Sequence, residues 1–264
     1  MHQFLGRVIW IIARLIGSLL PAPEWYSATV RVSRLLAPVF RLIIRLTRFR
    51  NDPRKEISHS WLVGIILQRL DSLEKPFPIP IRTSGSEAIF QAWNRPEGVV
   101  VCSVHLPLWN LILRSLVELN CSPTLVLAGE KAIRDGMFPP WGSAVRLPAL
   151  VVDKKIYIKA RGILRRGGSV ATMIDDGSSP SLNQNVLKFI GAVGARVVFA
   201  TVELQGNGEV LVQFYTPPDP FCKTEQSVRS NIAYFESRID AVLHRREHTP
   251  ENEAEMSYSH PEEG

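Results

Sequence analysis

The sequence contains only three cysteines and lacks the short motifs of several large enzyme classes. Cys102, Cys121 and Cys222 are too few for a disulfide framework, and no C-x-x-C pair or His/Cys cluster suggests zinc. A reducing compartment is therefore the simplest setting. A G-x-S-x-G nucleophile elbow is missing, which counts against an α/β-hydrolase, and neither a P-loop nor a G-x-G-x-x-G motif is present. The sequence predicts no metal and no other cofactor.

Acidic residues are scarce at the start of the chain. Residues 1–50 hold eight arginines and one acid, Glu24, whereas the last fifteen residues hold five glutamates and no lysine or arginine. The arginines lie among Leu, Ile and Val rather than among lysines and exposed aromatic residues, so we expect no nucleic-acid partner. A basic, apolar front end favours contact with an anionic membrane surface. Residues 249–264 are predicted to form a disordered acidic tail.

The first apolar segment is short for a transmembrane helix. It runs from Phe4 to Leu20, is interrupted by Arg7 and Arg14, and lacks the order of a cleavable signal peptide. Pro21 and the proline at position 23 are expected to end this helix. The pattern leaves open whether the segment lies flat on the membrane or spans it with its arginines turned towards the surface.

A second basic and apolar segment runs from Ser27 to Arg48. Its arginines recur at intervals of about two helical turns, which places them on one face of a continuous helix, although Pro38 predicts a kink or a break. This pattern is typical of a helix in a membrane interface, and the alternative is a helix buried by its own domain with an exposed basic stripe. The predicted membrane-contact residues are Arg34, Arg41, Arg45 and Arg48.

The body of the chain alternates apolar, β-branched runs with helical patterns. Such alternation predicts an α/β fold with a layered mixed sheet flanked by helices. Three regions follow: membrane-associating helices over 1–50, an α/β domain over 51–248 and the tail over 249–264. The predicted strands are 99–104, 124–127, 150–152, 169–174, 186–190, 197–204 and 210–215, and the predicted helices after residue 50 are 57–70, 84–93, 108–119, 157–166 and 227–246.

The strongest candidate for chemistry is a histidine between a predicted strand and a predicted helix. The apolar run Val99–Val104 ends at His105, and Asn110 follows five positions later. Strand-to-helix turns are where α/β folds place reactive groups, and a histidine titrates near neutral pH, so it can act as a general base. The alternative is a structural histidine at a strand end. Cys102 points to the opposite face of the strand from His105 and is predicted to be core.

Two further groups follow strands. Asp175 and Asp176 end a strand and can supply a carboxylate to the same sheet edge as His105 or bind an acceptor, and the alternative is an Asx-type turn. Two cations follow another predicted strand and can bind a phosphate of the donor or the acceptor, and a neighbouring acid can hold one of the cations in place. The alternative is that this segment is a solvated loop. These predicted substrate-binding residues are Glu130, Lys131 and Arg134.

Residues 4–246 resemble the lipid A biosynthesis acyltransferase family, within the lysophospholipid acyltransferase superfamily. The resemblance rests on the order of the elements. A basic, apolar start is followed by a strand that leads into His105, and two glycines precede a strand that ends in Asp175-Asp176. Residues 189–191 then resemble the family's Phe-Phe-Gly, and residues 194–198 resemble its Gly-Ala-Pro-Val-Val strand entry. In the family pattern an acid lies five positions after the histidine. Asn110 occupies that position here, so this chain carries a variant of the family's H-x4-D/E motif. Pro107-Leu-Trp also replaces the family's Gly-Asn-Trp-like turn, and residues 129–134 differ from its usual arginine-rich sequence.

The resemblance implies an acyltransferase on the cytoplasmic face of a bacterial inner membrane, peripheral or with a single N-terminal anchor. It implies an acyl-carrier protein or acyl-CoA donor and a lipid or amphipathic acceptor. His105 takes the role of base and Asp175 of auxiliary acid, whereas Asn110 orients the ring, because an amide oxygen accepts from a ring N–H without supplying charge. The alternatives are an inactive paralogue that binds lipid or a partner acyltransferase, and a membrane-bound hydrolase.

Overall fold

The structure is a computed structural model, and it describes residues 2–47, 58–93, 95–127, 136–175 and 182–247. The predicted domain boundaries near residues 50 and 248 and the predicted acidic tail lie outside these residues. The described helices are α1 (His2–Leu19), α2 (Trp25–Thr47), α3 (His59–Asp71), α4 (Ser86–Ala92), α5 (Asn110–Glu118), α6 (Ile156–Leu164), α7 (Gln184–Val193) and α8 (Glu225–Glu247).

The strands form an eight-stranded mixed sheet flanked by helices, so the predicted α/β class is confirmed. Their order in the sheet is β1-β8-β7-β2-β6-β3-β5-β4. The strands are β1 (Ile81–Ser84), β2 (Val99–Ser103), β3 (Thr124–Leu127), β4 (Met137–Phe138), β5 (Leu147–Val151), β6 (Ser169–Met173), β7 (Arg196–Leu204) and β8 (Val210–Tyr215).

The chain forms two compact units, and the first comprises residues 1–83, 105–152 and 203–212. Its helices α1, α2 and α3 pack against one another. In α1, Ile9, Ala13 and Ile16 are buried at the spacing of one helical face. Gly17 follows on the same side and lies against the side chain of Leu73, two residues after the end of α3, where a Cβ would lie 2.5 Å from a methyl carbon. Elsewhere in this unit β5 pairs with β3 in parallel and with β4 antiparallel.

Helix α2 runs without a break through Pro38, where the sequence predicted a kink or a break. Ala37 and Phe40 are both buried, so packing on either side of the proline offsets its missing hydrogen bond. Two side chains of α2 also fix it to the turn between β7 and β8. The Tyr26 hydroxyl donates to the Gly208 carbonyl at 2.6 Å, and Arg34 Nη2 donates to the carbonyl of residue 206 at 2.7 Å.

The second unit comprises residues 84–104, 153–202 and 213–264. In it β2 pairs in parallel with both β6 and β7, and all five of its residues are buried, as the continuous apolar run predicts for a central parallel strand. Phe199 of β7 stacks on Phe235 of α8 with ring centroids 4.3 Å apart. Gly98 precedes β2 at φ +70°, where a Cβ would lie 2.6 Å from the Leu164 carbonyl oxygen.

The predicted strand 186–190 is wrong, because these residues lie in helix α7. The Asn183 side chain caps the helix by accepting from Asn185 N, and Gly194 ends it in the left-handed conformation. Leu187 and Ile190 are its buried residues, three positions apart, as on one face of a helix. A short apolar run has no period of its own, and here the capping residues decide the type of element. The prediction also missed β1 and the two-residue β4.

Candidate functional site

His105 lies two residues beyond the end of β2, in the turn that leads into α5. Its side chain is exposed, whereas Leu106 and Leu108 around it are buried. The backbone closes into a turn at once, because Trp109 N donates to the Leu106 carbonyl at 3.1 Å. The turn therefore anchors its apolar residues in the core and presents the imidazole to solvent.

Helix α3 packs directly against the backbone of this turn. A Cβ on Gly64 would lie 2.4 Å from the Pro107 carbonyl oxygen and 3.3 Å from its carbonyl carbon. A real Cβ does not approach a backbone oxygen so closely, so glycine is required at this position for the observed packing. Pro107 is two residues from His105, and Gly64 thus helps to set the position of the histidine.

Asn110, the first residue of α5, is buried and holds a second loop. Its Oδ1 accepts from the backbone N–H of Trp141 at 2.7 Å. Only 1% of Asn110 is exposed to solvent, so this N–H has no ready replacement acceptor. The described contact assigns the amide oxygen a structural task, and the proposed orientation of the His105 ring by Asn110 stays a prediction.

The loop around Trp141 has its backbone polar groups tied on several sides. Asp71 Oδ1 accepts from Gly142 N at 3.0 Å, and Phe77 N donates to the Gly142 carbonyl at 3.1 Å. Arg114 of α5 donates from Nη1 to the Trp141 carbonyl at 3.3 Å. Burial raises the pKa of the Asp71 carboxyl, and the hydrogen bond from Gly142 opposes that rise. The start of α5 is thus joined through this loop to the end of α3.

Removal of the Asn110 side-chain oxygen tests this structural role. In Asn110→Ala, the buried Trp141 N–H loses its acceptor, which costs about 1–3 kcal/mol in the free energy of unfolding. Urea denaturation measures the change. Asn185→Ala is the matched control, because Asn185 is exposed at the start of α7 and we expect a change within about 0.5 kcal/mol. Equal stability of the two variants would contradict the assignment.

The predicted catalytic carboxylate lies in the second unit. Asp175 is partly buried, two residues after the end of β6. The preceding residue is fixed to β2, since Ile174 N donates to the Ser103 carbonyl at 2.9 Å. Asp176 and the predicted substrate-binding residues lie outside the described residues, so their roles stay predictions. Those substrate-binding residues are Glu130, Lys131 and Arg134.

The cysteines offer no reactive thiolate. Cys102 is fully buried in β2, and burial raises the pKa of its thiol far above the usual range. Burial also raises the pKa of Cys121 and of Cys222 to about 11. The prediction that Cys102 is core is therefore confirmed. Among the residues that the structure describes, no group of three or more His, Cys, Asp or Glu side chains is placed to hold a metal ion.

The four predicted membrane-contact arginines differ in what the structure says of them. Arg34 is exposed, but it also donates to a backbone carbonyl of its own unit. Arg41 is half-buried, and its Nε has no hydrogen-bond partner. Arg45 lies in α2, but its side chain lies outside the described part of the chain, as does the whole of Arg48. Within the described residues, none of the helices combines the length and the hydropathy needed to cross a bilayer.

The residues that support the His105 turn from other elements were not identified from the sequence. Gly64 lies within an apolar helix, where glycine is unfavourable. A glycine at such a position is the one sequence sign that another element packs closely there. Asp71 and Arg114 are polar residues at helical positions, and nothing in the sequence pairs either with residues 141–142. Such long-range hydrogen bonds have no sequence signal.

Comparison with known proteins adds no family assignment for this chain. No protein-family model matches it, and no curated protein matches it in sequence.

Proposed function

We propose that the protein is a membrane-associated acyltransferase with His105 as its general base. It would move a fatty acyl group from an acyl-carrier or CoA thioester to a hydroxyl or amine of a lipid or amphipathic acceptor. The observation that carries the proposal is an exposed histidine two residues beyond a fully buried parallel strand, on a turn whose backbone packs against α3 and leads into α5. The resemblance to the lipid A acyltransferase family supports the same reading and suggests the cytoplasmic face of an inner membrane.

The reaction requires one proton to move twice. A neutral His105 nitrogen accepts the proton of the acceptor O–H or N–H as the acceptor atom attacks the thioester carbonyl carbon. The resulting tetrahedral intermediate then collapses, the C–S bond breaks and the imidazolium returns the proton to the leaving thiolate. Asp175 is proposed as an auxiliary acid that stabilises the imidazolium, and Asn110 as a positioning residue for the histidine turn.

The proposed membrane contact has support from the exposed faces of α1 and α2. Leu35, Val39 and Leu42 of α2 are 75%, 50% and 57% exposed and lie on one helical face. A comparable face of α1 carries Leu15 and Leu19, which are 51% and 73% exposed. Large aliphatic side chains concentrated on two amphipathic helices are typical of an interface-binding surface.

Replacement of one of these side chains tests the membrane contact. In Leu35→Glu, an apolar side chain that would enter the interface becomes a carboxylate, so we expect partition onto anionic vesicles to fall about tenfold or more. Vesicle co-sedimentation measures the change. The matched control is Ile158→Glu on α6, since Ile158 is 72% exposed against 75% for Leu35. Equal losses in both variants would contradict a specific role for α2.

One observation favours an inactive paralogue as the second candidate function. Asn110 carries no charge where the family pattern has an acid, and its oxygen already accepts from Trp141 N. Such a protein would keep the fold and the membrane surface and would bind lipid or a partner acyltransferase without chemistry.

A single-turnover assay with a radiolabelled acyl-carrier thioester and total lipid extract separates the candidates. Label in a lipid or amphipathic product supports the transferase. Label in free fatty acid identifies a hydrolase. An unchanged thioester across a broad panel of donors and acceptors, together with intact lipid binding, identifies the inactive paralogue and overturns the enzyme proposal.

A further inference from the structure

An open pocket between α1 and α3 carries two arginines and an indole ring. Its volume is about 410 Å³, and it is lined by Gly6, Arg7, Trp10 and Arg69. Gly6 leaves the pocket unfilled, because a Cβ at this position would meet no atom within 4 Å. Both arginines are exposed, so their guanidinium groups are available to a ligand from solution.

A third arginine adds to the positive charge at this place. Arg14 lies two helical turns after Arg7, and its guanidinium carbon is 5.0 Å from the centre of the Trp10 ring. Within the described part of the chain, none of Arg7, Arg14 and Arg69 forms an ion pair with a carboxylate. An anion in the pocket would supply the ion-pair partner that these arginines lack.

The pocket borders an exposed apolar stripe of the same helix. Ile11, Leu15 and Leu19 recur every four residues and are 49%, 51% and 73% exposed. An apolar stripe bounded by arginines and by a tryptophan matches the chemistry of a bilayer surface, where the aliphatic side chains meet acyl chains and the indole lies at the level of the headgroups. The arginines then lie at the depth of the lipid phosphates.

We propose that this pocket binds the phosphate of an anionic glycerophospholipid in the membrane surface. The planar guanidinium groups of Arg7 and Arg69 donate pairs of hydrogen bonds to the phosphate oxygens, and Trp10 packs beside the glycerol. The inference rests on the proposed membrane association and is independent of acyl transfer. It gives the membrane surface a specific headgroup site in addition to diffuse attraction by charge.

A charge-conserving double variant, Arg7→Lys with Arg69→Lys, tests the pocket. Lysine keeps the positive charge but loses the bidentate geometry. Binding is measured on vesicles of 30% phosphatidylglycerol in phosphatidylcholine and on pure phosphatidylcholine vesicles, at constant ionic strength. We expect the variant to lose roughly tenfold in affinity for the phosphatidylglycerol vesicles. Phosphatidylcholine carries the same phosphate, but the arginines repel its choline ammonium, so the weaker binding to phosphatidylcholine vesicles should change little. Arg31→Lys on the exposed side of α2 is the matched control, with affinity unchanged.

Each other outcome overturns a stated part of the proposal. Wild-type affinity in the double lysine variant, or an equal loss in the Arg31→Lys control, identifies diffuse charge attraction and removes the pocket. Inorganic phosphate is also titrated into the protein without vesicles. If the protein binds inorganic phosphate tightly, and the double variant does not change its affinity for vesicles, the pocket binds a soluble phosphate instead of a lipid. If the wild type binds neither kind of vesicle, the proposed membrane association fails as well, and the acyl-transfer assay in detergent still tests the enzyme proposal separately.

Discussion

His105→Ala is expected to lower the single-turnover rate of acyl transfer by two to four orders of magnitude. General base catalysis by a positioned side chain contributes a rate factor of roughly 10²–10⁴, and alanine removes it entirely. Because the imidazole is exposed, the free energy of unfolding should change by no more than about 0.5 kcal/mol. A large loss of rate with unchanged stability separates a catalytic histidine from a structural one.

Two controls sharpen the result. His59→Ala removes a histidine whose Nε2 lies 3.1 Å from the Val30 carbonyl oxygen, so it should lower stability and leave the rate within a few-fold. Added imidazole should restore part of the rate in His105→Ala, because a free base can enter the space that alanine leaves. A rate in His105→Ala equal to that of wild type would overturn the assignment of the base.

Asn110→Asp, measured in the same assay, addresses the missing acid. A carboxylate keeps an oxygen for the Trp141 N–H and adds the charge that stabilises a developing imidazolium. A faster rate than that of wild type identifies Asn110 as a weakened partner of His105. An unchanged rate assigns Asn110 to the support of the loop alone.

Much of the fold was predictable because the central strands are continuous apolar runs. Residues 99–103 and 169–173 fall within the predicted strands, and 124–127 matches its prediction in full. The error at α7 came from an apolar run too short to show a period, where capping by Asn183 and Gly194 decides the structure. Capping residues of this kind can be recognised in the sequence, but a prediction based on hydrophobic periodicity alone does not use them.

The candidate site was less predictable, for a different reason. A buried strand followed by a lone histidine marks His105 in the sequence. Its supports come from residues far along the chain: Gly64 lies more than 40 positions earlier, and Trp141 lies 31 positions after Asn110. Tertiary packing creates these contacts, so no local pattern encodes them. The sequence therefore identifies the candidate histidine more readily than the residues that contact its turn.

Gly64→Ala should damage both stability and activity through the backbone of the histidine turn. In a helix, alanine is favoured over glycine by about 1 kcal/mol. Here its Cβ would lie 2.4 Å from the Pro107 carbonyl oxygen, which cannot swing away as a flexible side chain can. Overpacking costs about 1–3 kcal/mol, and backbone contacts lie at the upper end of that range, so we expect a net loss of stability of up to about 2 kcal/mol. A shift of the turn by about 1 Å would lower the transfer rate by up to about 100-fold.

Gly162→Ala on α6 is the control that makes this prediction decisive. A Cβ there would meet only the flexible guanidinium end of Arg166, at 3.6 Å, so the helix-propensity gain should appear nearly in full as about 1 kcal/mol of added stability. The two alanine variants should therefore change the free energy of unfolding in opposite directions, as measured by urea denaturation. If both stabilise the protein and leave transfer unchanged, then α3 does not position His105. Opposite signs, with a slower rate only in Gly64→Ala, locate the control of the histidine in the backbone contact between α3 and Pro107.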